Sequence, residues 1–214
     1  MAGREALTRA GEVTAVTATR LEAWAVRRRA RGARLQRVGV AMRDRSWRIT
    51  TPVAISVGLA GGLSRDVAPG TVVIASEIAL GDGAPAGCDA WWLDAMTDAA
   101  QRLAVPVIRA PLVTLPVLAV GPAREPWAGR GFAAVDMESA MLIGRAPRIG
   151  AVRVVLDSPE RELSASWLSP WRAALRPRCW VEFLWLANHA PVFALRAAAV
   201  FGLALRHHEI DAQI

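Results

Sequence analysis

Apolar positions fall in short runs separated by polar, glycine- and proline-bearing stretches, and their period changes from run to run. Glu12 to Ala18, rich in Val and Thr, predicts a strand. Leu21 to Ala30 predicts a helix closed by Arg31-Gly32, and Arg34 to Ala41 a second strand. Pro52 to Val57 is a short apolar run expected to end in a glycine-rich turn, Gly58-Leu59-Ala60-Gly61-Gly62. Thr71 to Ala75, introduced by Pro69-Gly70, reads as a buried strand, and Asp89 to Leu103 as a helix. Val105 to Val120 predicts one or two strands broken by Pro106, Pro111 and Pro116. Gly131 to Val135 leads into Asp136-Met137-Glu138 and a helix over roughly Ser139 to Arg145. Ala151 to Leu156 is an apolar strand interrupted by Arg153 and closed by Asp157 with the turn signal Ser158-Pro159. From Trp167 onward the pattern is helical and apolar. This alternation predicts an α/β fold with a mostly parallel sheet and helices on its faces.

Composition narrows the class. A chain of 214 residues with 53% hydrophobic content suits one domain with a sizeable core, and mean hydropathy of +0.27 excludes a disordered chain. The expectation is a single domain over 1–214 with an apolar helical tail at about 180–206. All 26 basic residues are arginine, Tyr is absent, and the net charge is +7. That skew reads either as biased coding or as attraction to an anionic surface. No nucleic-acid-binding motif accompanies it, and Arg27-Arg28-Arg29 reads as a solvated helix face. Cys88 and Cys179 lie far apart without metal-ligand spacing, which argues against a disulfide scaffold or a zinc site and fits a reducing cytoplasm. The N-terminus carries Arg4, Glu5 and Arg9 and lacks the apolar run of a signal peptide.

Candidate chemistry gathers at strand ends. Glu22 follows the first strand, the glycines follow the Pro52 run, Asp136 and Glu138 follow the Gly131 run, and Asp157 closes the Ala151 run. In open α/β sheets ligands bind beyond the carboxyl ends of the strands, so parallel neighbours would bring these groups to one crevice suited to a polar, hydroxyl-bearing ligand. Each has a plainer reading. The glycines fit a tight turn, being neither a dinucleotide fingerprint nor a phosphate loop. Glu22 and Glu138 fit carboxylates in the first turn of a helix. Asp157 fits an N-cap or Asx-turn, or a partly buried acid able to carry a proton at neutral pH.

Together these residues resemble the nucleoside phosphorylase/nucleosidase superfamily. The resemblance rests on SVGLAGGL at Ser56–Leu63 with the strand entry that follows, on VDMESAM at Val135–Met141, on VRVVLDSP at Val152–Pro159 and on TATRLEA at Thr17–Ala23. It implies a three-layer α/β/α sandwich around a mostly parallel mixed sheet, and cleavage of the bond between a purine and its ribose. By the resemblance, Met137 would pack against the sugar, Glu138 would bind the ribose hydroxyls, and Asp157 would donate a proton to the leaving base. Glu22 would polarise water, Ala60 and Gly61 would line sugar and base, and Arg153 would support the site. No metal or other cofactor is implied, with phosphate a co-substrate only for a phosphorylase. Phosphorylases of this kind hold phosphate with arginines, one of them near the position of Ser56, so serine there favours water as nucleophile.

DSPEREL at Asp157–Leu163 and the arginine-punctuated FALRAAAVFGLALR at Phe193–Arg206 are similar to the hopanoid-associated subgroup, which releases adenine from an adenosylated hopanoid. The tail, interrupted by Asn188, His189, Pro191 and Arg196, shows no uninterrupted run of the roughly 20 apolar residues that span a bilayer. Its mix of Trp, Phe, Leu and Arg suits a membrane interface, and equally a docking helix or an oligomer contact. His207 and His208, near the C-terminus, read as solvated. Two features depart from the family. Only a short stretch including Arg45-Ser46-Trp47-Arg48 joins Gly39 to Pro52, and Leu112 to Trp127 does not match the purine-stacking wall. The expected ligand is a small purine nucleoside, lipid-linked or soluble, with no nucleic acid, on a homo-oligomer in the cytoplasm or at a membrane periphery. The alternatives are a methylthioadenosine/adenosylhomocysteine-type nucleosidase, a phosphate-dependent phosphorylase, and a non-catalytic nucleoside- or lipid-binding protein.

Overall fold

A computed structural model describes residues 12–42, 46–163 and 180–211. The first strand, β1 (Val13–Thr17), is buried at every position and pairs in parallel with a neighbour on each side, as its unbroken Val/Thr/Ala run requires. Helix α1 (Arg20–Arg29) starts at a capping box in which Thr19 Oγ1 accepts from Glu22 N and the Glu22 carboxylate accepts from Thr19 N. Its last turn carries Arg27, Arg28 and Arg29, exposed and at the negative end of the helix dipole.

Strand β2 (Arg34–Arg37) ends four residues before the expected boundary, because Gly39 (φ 80°) and Ala41 (φ 59°) leave the extended region and the chain enters a short 3-10 turn at Val40–Met42. The expected turn after Val57 is absent. Strand β3 runs unbroken from Val53 to Gly62, since β8 pairs in parallel along its length and β7 pairs antiparallel with Gly61 and Gly62. Strand β4 (Val72–Leu80), the two-residue β5 (Ala86–Gly87) and helix α2 (Ala90–Arg102), capped by Asp89 Oδ1 accepting from Trp92 N at 3.1 Å, come next. Strand β6 (Val107–Thr114) passes through Pro111 as one strand, and Pro106 and Pro116 lie outside it. A 3-10 turn (Gly121–Arg124), the short α3 (Glu125–Gly129), β7 (Ala134–Asp136) and β8 (Arg148–Asp157) lead to the last element, α4 (Trp180–Asp211).

The sheet is mixed and mostly parallel, with path β2-β1-β3-β7-β6-β4-β5. Because β8 pairs with both β3 and β4, strands β3, β7, β6, β4 and β8 bond around a closed ring. Helices α1, α2 and α4 pack on one face over Val13, Ile55, Val72, Ile74, Val152 and Val154. The other face carries a thin layer in which Trp47, Ala140, Met141 and Leu142 cover Ala54, Val73 and Ile149. The helix expected over Ser139–Arg145 is only a 3-10 turn, Ser139–Leu142, closed by Gly144 (φ 72°). Trp47 from the shortened Gly39–Pro52 connection fills the space, with the Arg145 guanidinium 4.3 Å above its ring.

The tail is a core element over its second half. By length and mean hydropathy Glu182–His208 could cross a membrane, although Asn188, His189, Pro191 and Arg196 interrupt its apolar run. Here Phe193, Ala197, Ala198, Phe201, Ala204 and Leu205 are buried. Gly202 sits against the Arg29 carbonyl, where a Cβ would clash. His208 is fully buried rather than solvated, packed 4.6 Å from the Trp91 ring and 5.1 Å from the Trp92 ring, and His207 bonds Arg102 at 2.7 Å. Phe183, Leu184 and Val192 in the first half are exposed. Cys179 and Trp167 lie outside the described residues.

Candidate active site

The carboxyl ends of β1, β3, β7 and β8 meet at a cleft of about 230 Å³. Glu22, Ala60, Gly61, Met137, Glu138 and Asp157, all singled out in the sequence, line it together with Asp136. Its remaining walls are mostly apolar, from Val40, Leu59, Leu118, Leu156 and Leu163. Arg153, expected at the site, lies beneath the cleft floor and does not line it.

Arg153 organises the floor. Its side chain is 1% exposed, and Nη2 pairs with Asp136 Oδ2 at 2.6 Å and donates to Ser56 Oγ at 2.6 Å and Ser139 Oγ at 3.0 Å. Glu22 and Glu138 carboxylate oxygens each stand 3.9 Å from it. Three carboxylates therefore share one buried guanidinium. They hold its charge in place although burial opposes it, and the guanidinium pKa is raised. Asp136 is the best satisfied of the three, accepting also from Thr114 Oγ1 at 2.6 Å, from Ser139 N and from Ser139 Oγ.

Glu22 is anchored by its own capping box. Oε2 accepts from Ala18 N, Thr19 N and Thr19 Oγ1, whereas Oε1 accepts from Leu59 N at 2.9 Å and has capacity for another donor. The close approach depends on Gly58. A Cβ there would sit 2.7 Å from Glu22 Cδ and 2.5 Å from Arg153 Nη1. Gly58 thus serves side chains crossing the strand, not a turn.

Glu138 does not begin a helix, so helix-dipole stabilisation does not apply to it. Its backbone is non-helical and the turn that follows has four residues. Its Oε1 accepts from Ala41 N at 3.0 Å, a donor supplied by the left-handed turn of the shortened connection. Burial, reinforced by Asp136 and Glu22 and opposed by Arg153, pushes its carboxyl up to about 8.

Asp157 lies on the other side of the cleft. Burial raises its pKa against the pull of Arg124, which donates through Nη2 to Asp157 Oδ2 and through Nη1 to the Gly62 carbonyl. Arg124 and the partnership of Asp136 with Arg153 were not apparent in the sequence. Arg124 comes from the Leu112–Trp127 stretch that does not match the purine-stacking wall, and nothing local distinguishes it from the other arginines. Among the described residues, no arginine lines the cleft, and no group of three or more His, Cys, Asp or Glu is arranged to hold a metal.

No protein-family model matches the chain, and no curated protein matches it by sequence. Solved structures do match in fold. A 5′-methylthioadenosine/S-adenosylhomocysteine nucleosidase from Neisseria meningitidis, complexed with methylthio-immucillin-A, is similar with a TM-score of 0.69 at 16% identity, over 91% of this chain and 98% of that one. The futalosine hydrolase of Helicobacter pylori is similar with a TM-score of 0.68 at 9% identity, over 92% and 98%. A nucleosidase from Colwellia psychrerythraea acting on the same class, complexed with adenine, is similar with a TM-score of 0.66 at 12% identity, over 93% and 96%. At these identities the likeness establishes a shared fold.

Proposed function

We propose that this chain is a purine nucleosidase that hydrolyses the N-glycosidic bond of an adenosine-type substrate and releases adenine. The observation that carries this reading is one cleft, on a nucleosidase fold, that has Glu138 on one side and, on the other, a buried Asp157 whose pKa burial raises. Glu138 binds the ribose hydroxyls and faces the cationic sugar of the transition state. Asp157 gives its proton to the base as the glycosidic electron pair moves onto the ring. Met137, Ala60 and Gly61 line sugar and base, and Glu22 Oε1 polarises the attacking water. Arg153 holds the carboxylates in register. Water is favoured over phosphate because the two arginines buried among the described residues are both engaged by carboxylates, and an arginine fork is the usual phosphate ligand. Carboxylates and water suffice for this chemistry without a cofactor.

The narrower reading is a lipid-linked, hopanoid-type adenosylated substrate, supported by the Asp157–Leu163 motif and the apolar cleft walls. Exposed Phe183, Leu184 and Val192 would then touch the membrane periphery of the cytoplasm or a second copy of the chain. The test is adenine release, followed by chromatography, from methylthioadenosine, adenosine and an adenosylated hopanoid in detergent, each with and without phosphate. Phosphate-independent release is expected. Strict phosphate dependence would make the chain a phosphorylase, and no release from any of the three would refute the enzyme reading.

A further inference from the structure

We propose that Arg124 is a positioning residue for Asp157, fixing which carboxylate oxygen carries the proton and taking up the negative charge that develops when the proton leaves. The inference rests on the nucleosidase reading of the cleft. Arg124 is 1% exposed. It closes the 3-10 turn Gly121–Arg124, whose entry Gly121 has φ 53°. Three groups receive its guanidinium. Nη2 donates to Asp157 Oδ2, Nη1 donates to the Gly62 carbonyl at the end of β3, and Nε stands 3.2 Å from Glu162 Oε1. Glu162 also accepts from Gly121 N at 2.6 Å, so the carboxylate that partners Arg124 tethers the turn that carries it. Leu118 just before that turn and Leu163 just after Glu162 both line the cleft.

The division of labour at Asp157 follows from this geometry. Oδ2 is committed to Arg124, with Leu163 N at 3.4 Å. Oδ1 is turned toward Gly61 in the cleft wall, 3.0 Å from the point where a Cβ would stand. A guanidinium only donates, so a proton on this carboxyl sits on Oδ1, the oxygen facing the ligand space. When it passes to a ring nitrogen of the leaving purine, the glycosidic pair stays with the ring. Hydroxide from water ends on the sugar carbon, and the remaining water proton restores Asp157 through solvent. The charge left on the carboxylate then faces a fixed, buried cation, the arrangement in which preorganised electrostatics act most strongly. Among the described residues, the charged groups facing Asp157 are Arg124 and Glu162, and β3 presents Gly61 there.

The experiment compares wild type with Arg124→Met and Arg124→Lys. In Arg124→Met, kcat falls about a hundredfold with KM changed less than about threefold. The basic limb of the pH–rate profile that belongs to Asp157 moves up by about one pH unit, because burial is no longer opposed. Arg124→Lys restores part of both. Glu138→Gln serves as background, so that the Glu138 limb does not mask that of Asp157. Carbon NMR titration of the Asp157 carboxyl without substrate reads the same shift independently of turnover. If wild type cleaves no nucleoside, the nucleosidase reading fails while the titration still tests the pairing. An unmoved Asp157 titration in both variants, or equal loss in Met and Lys variants with an unmoved basic limb, would overturn the proposal.

Discussion

Gly58→Ala tests whether the β3 glycines exist for the side chains that cross them. The new Cβ would stand 2.5 Å from Arg153 Nη1 and 2.7 Å from Glu22 Cδ, against about 3.5–4 Å for ordinary carbon contacts. One of the two must retreat by about an ångström. Arg153 is held by Ser56, Ser139 and Asp136, and Glu22 by the N–H groups of Ala18, Thr19 and Leu59. Overpacking costs about 1–3 kcal/mol, and a buried charge deprived of a partner costs about 1–3 kcal/mol more. The expected loss is about 2–6 kcal/mol, a large share of the roughly 5–15 kcal/mol that holds a domain folded. For a chain of this size it corresponds to a fall in Tm of about 4–24 °C. Thermal unfolding followed by circular dichroism reads it. Gly129→Ala, where a Cβ meets nothing within 4 Å, is the control and should stay within about 2 °C of wild type. Should Gly58→Ala unfold as late as that control, close approach is not what glycine supplies here.

Burial pushes the Glu138 carboxyl up to about 8, which favours its neutral form at pH 7, whereas on the nucleosidase reading a cationic sugar is best served by the ionised form. Initial rates should show kcat/KM rising with pH through about 8, and Glu138→Gln should abolish that limb and lower kcat/KM by about a hundred- to thousandfold. Asp157→Asn should lower kcat by roughly a hundred- to ten-thousandfold, with nucleoside affinity by calorimetry nearly unchanged; full turnover would remove Asp157 from the mechanism. Phe201→Ala, in the buried half of α4, should cost about 3–5 kcal/mol in urea unfolding, whereas Leu184→Ser on the exposed half should cost less than about 0.5 kcal/mol.

The placement of the candidate site residues was legible where it was local. Glu22, Glu138 and Asp157 each stand just past an apolar run; β1 and β8 pair in parallel with β3, so their ends coincide, and β7 reaches the same cleft although it pairs antiparallel with β3. The α/β class was legible for the same reason. Three other features depended on contacts distant in sequence. The glycines of β3 looked like a turn because glycine seldom adds to a strand; the crossing of Glu22 and Arg153 explains Gly58, Asp157 Oδ1 approaches Gly61, and the Val67 carbonyl approaches Gly62. The 3-10 turn at Ser139 replaces a helix because Trp47, far upstream, already fills that layer. His208 looked solvated by its place near the terminus, yet Trp91 and Trp92 of α2 receive it.

The floor of the cleft carries an uneven charge balance with a consequence for catalysis. Glu22, Asp136 and Glu138 surround one guanidinium, so full ionisation would leave two uncompensated negative charges in a poorly solvated place. Asp136 is tied to Arg153 directly and through Thr114 and Ser139, and Glu22 is tied by backbone N–H groups. Glu138 has one backbone donor and a distant cation, so it is the member that keeps a proton. On the nucleosidase reading, a sugar gaining positive charge beside it would supply what the cluster lacks and favour the ionised carboxylate. That attraction is stronger for the transition state than for the neutral substrate, which is the condition for binding energy to lower a barrier. On the nucleosidase reading, weakening Asp136 should therefore act on turnover through Glu138. Asp136→Asn reduces the surplus of negative charge, so the pH at which activity rises should move below that of wild type. A limb left at about 8 in that variant would show that Asp136 does not set the Glu138 proton.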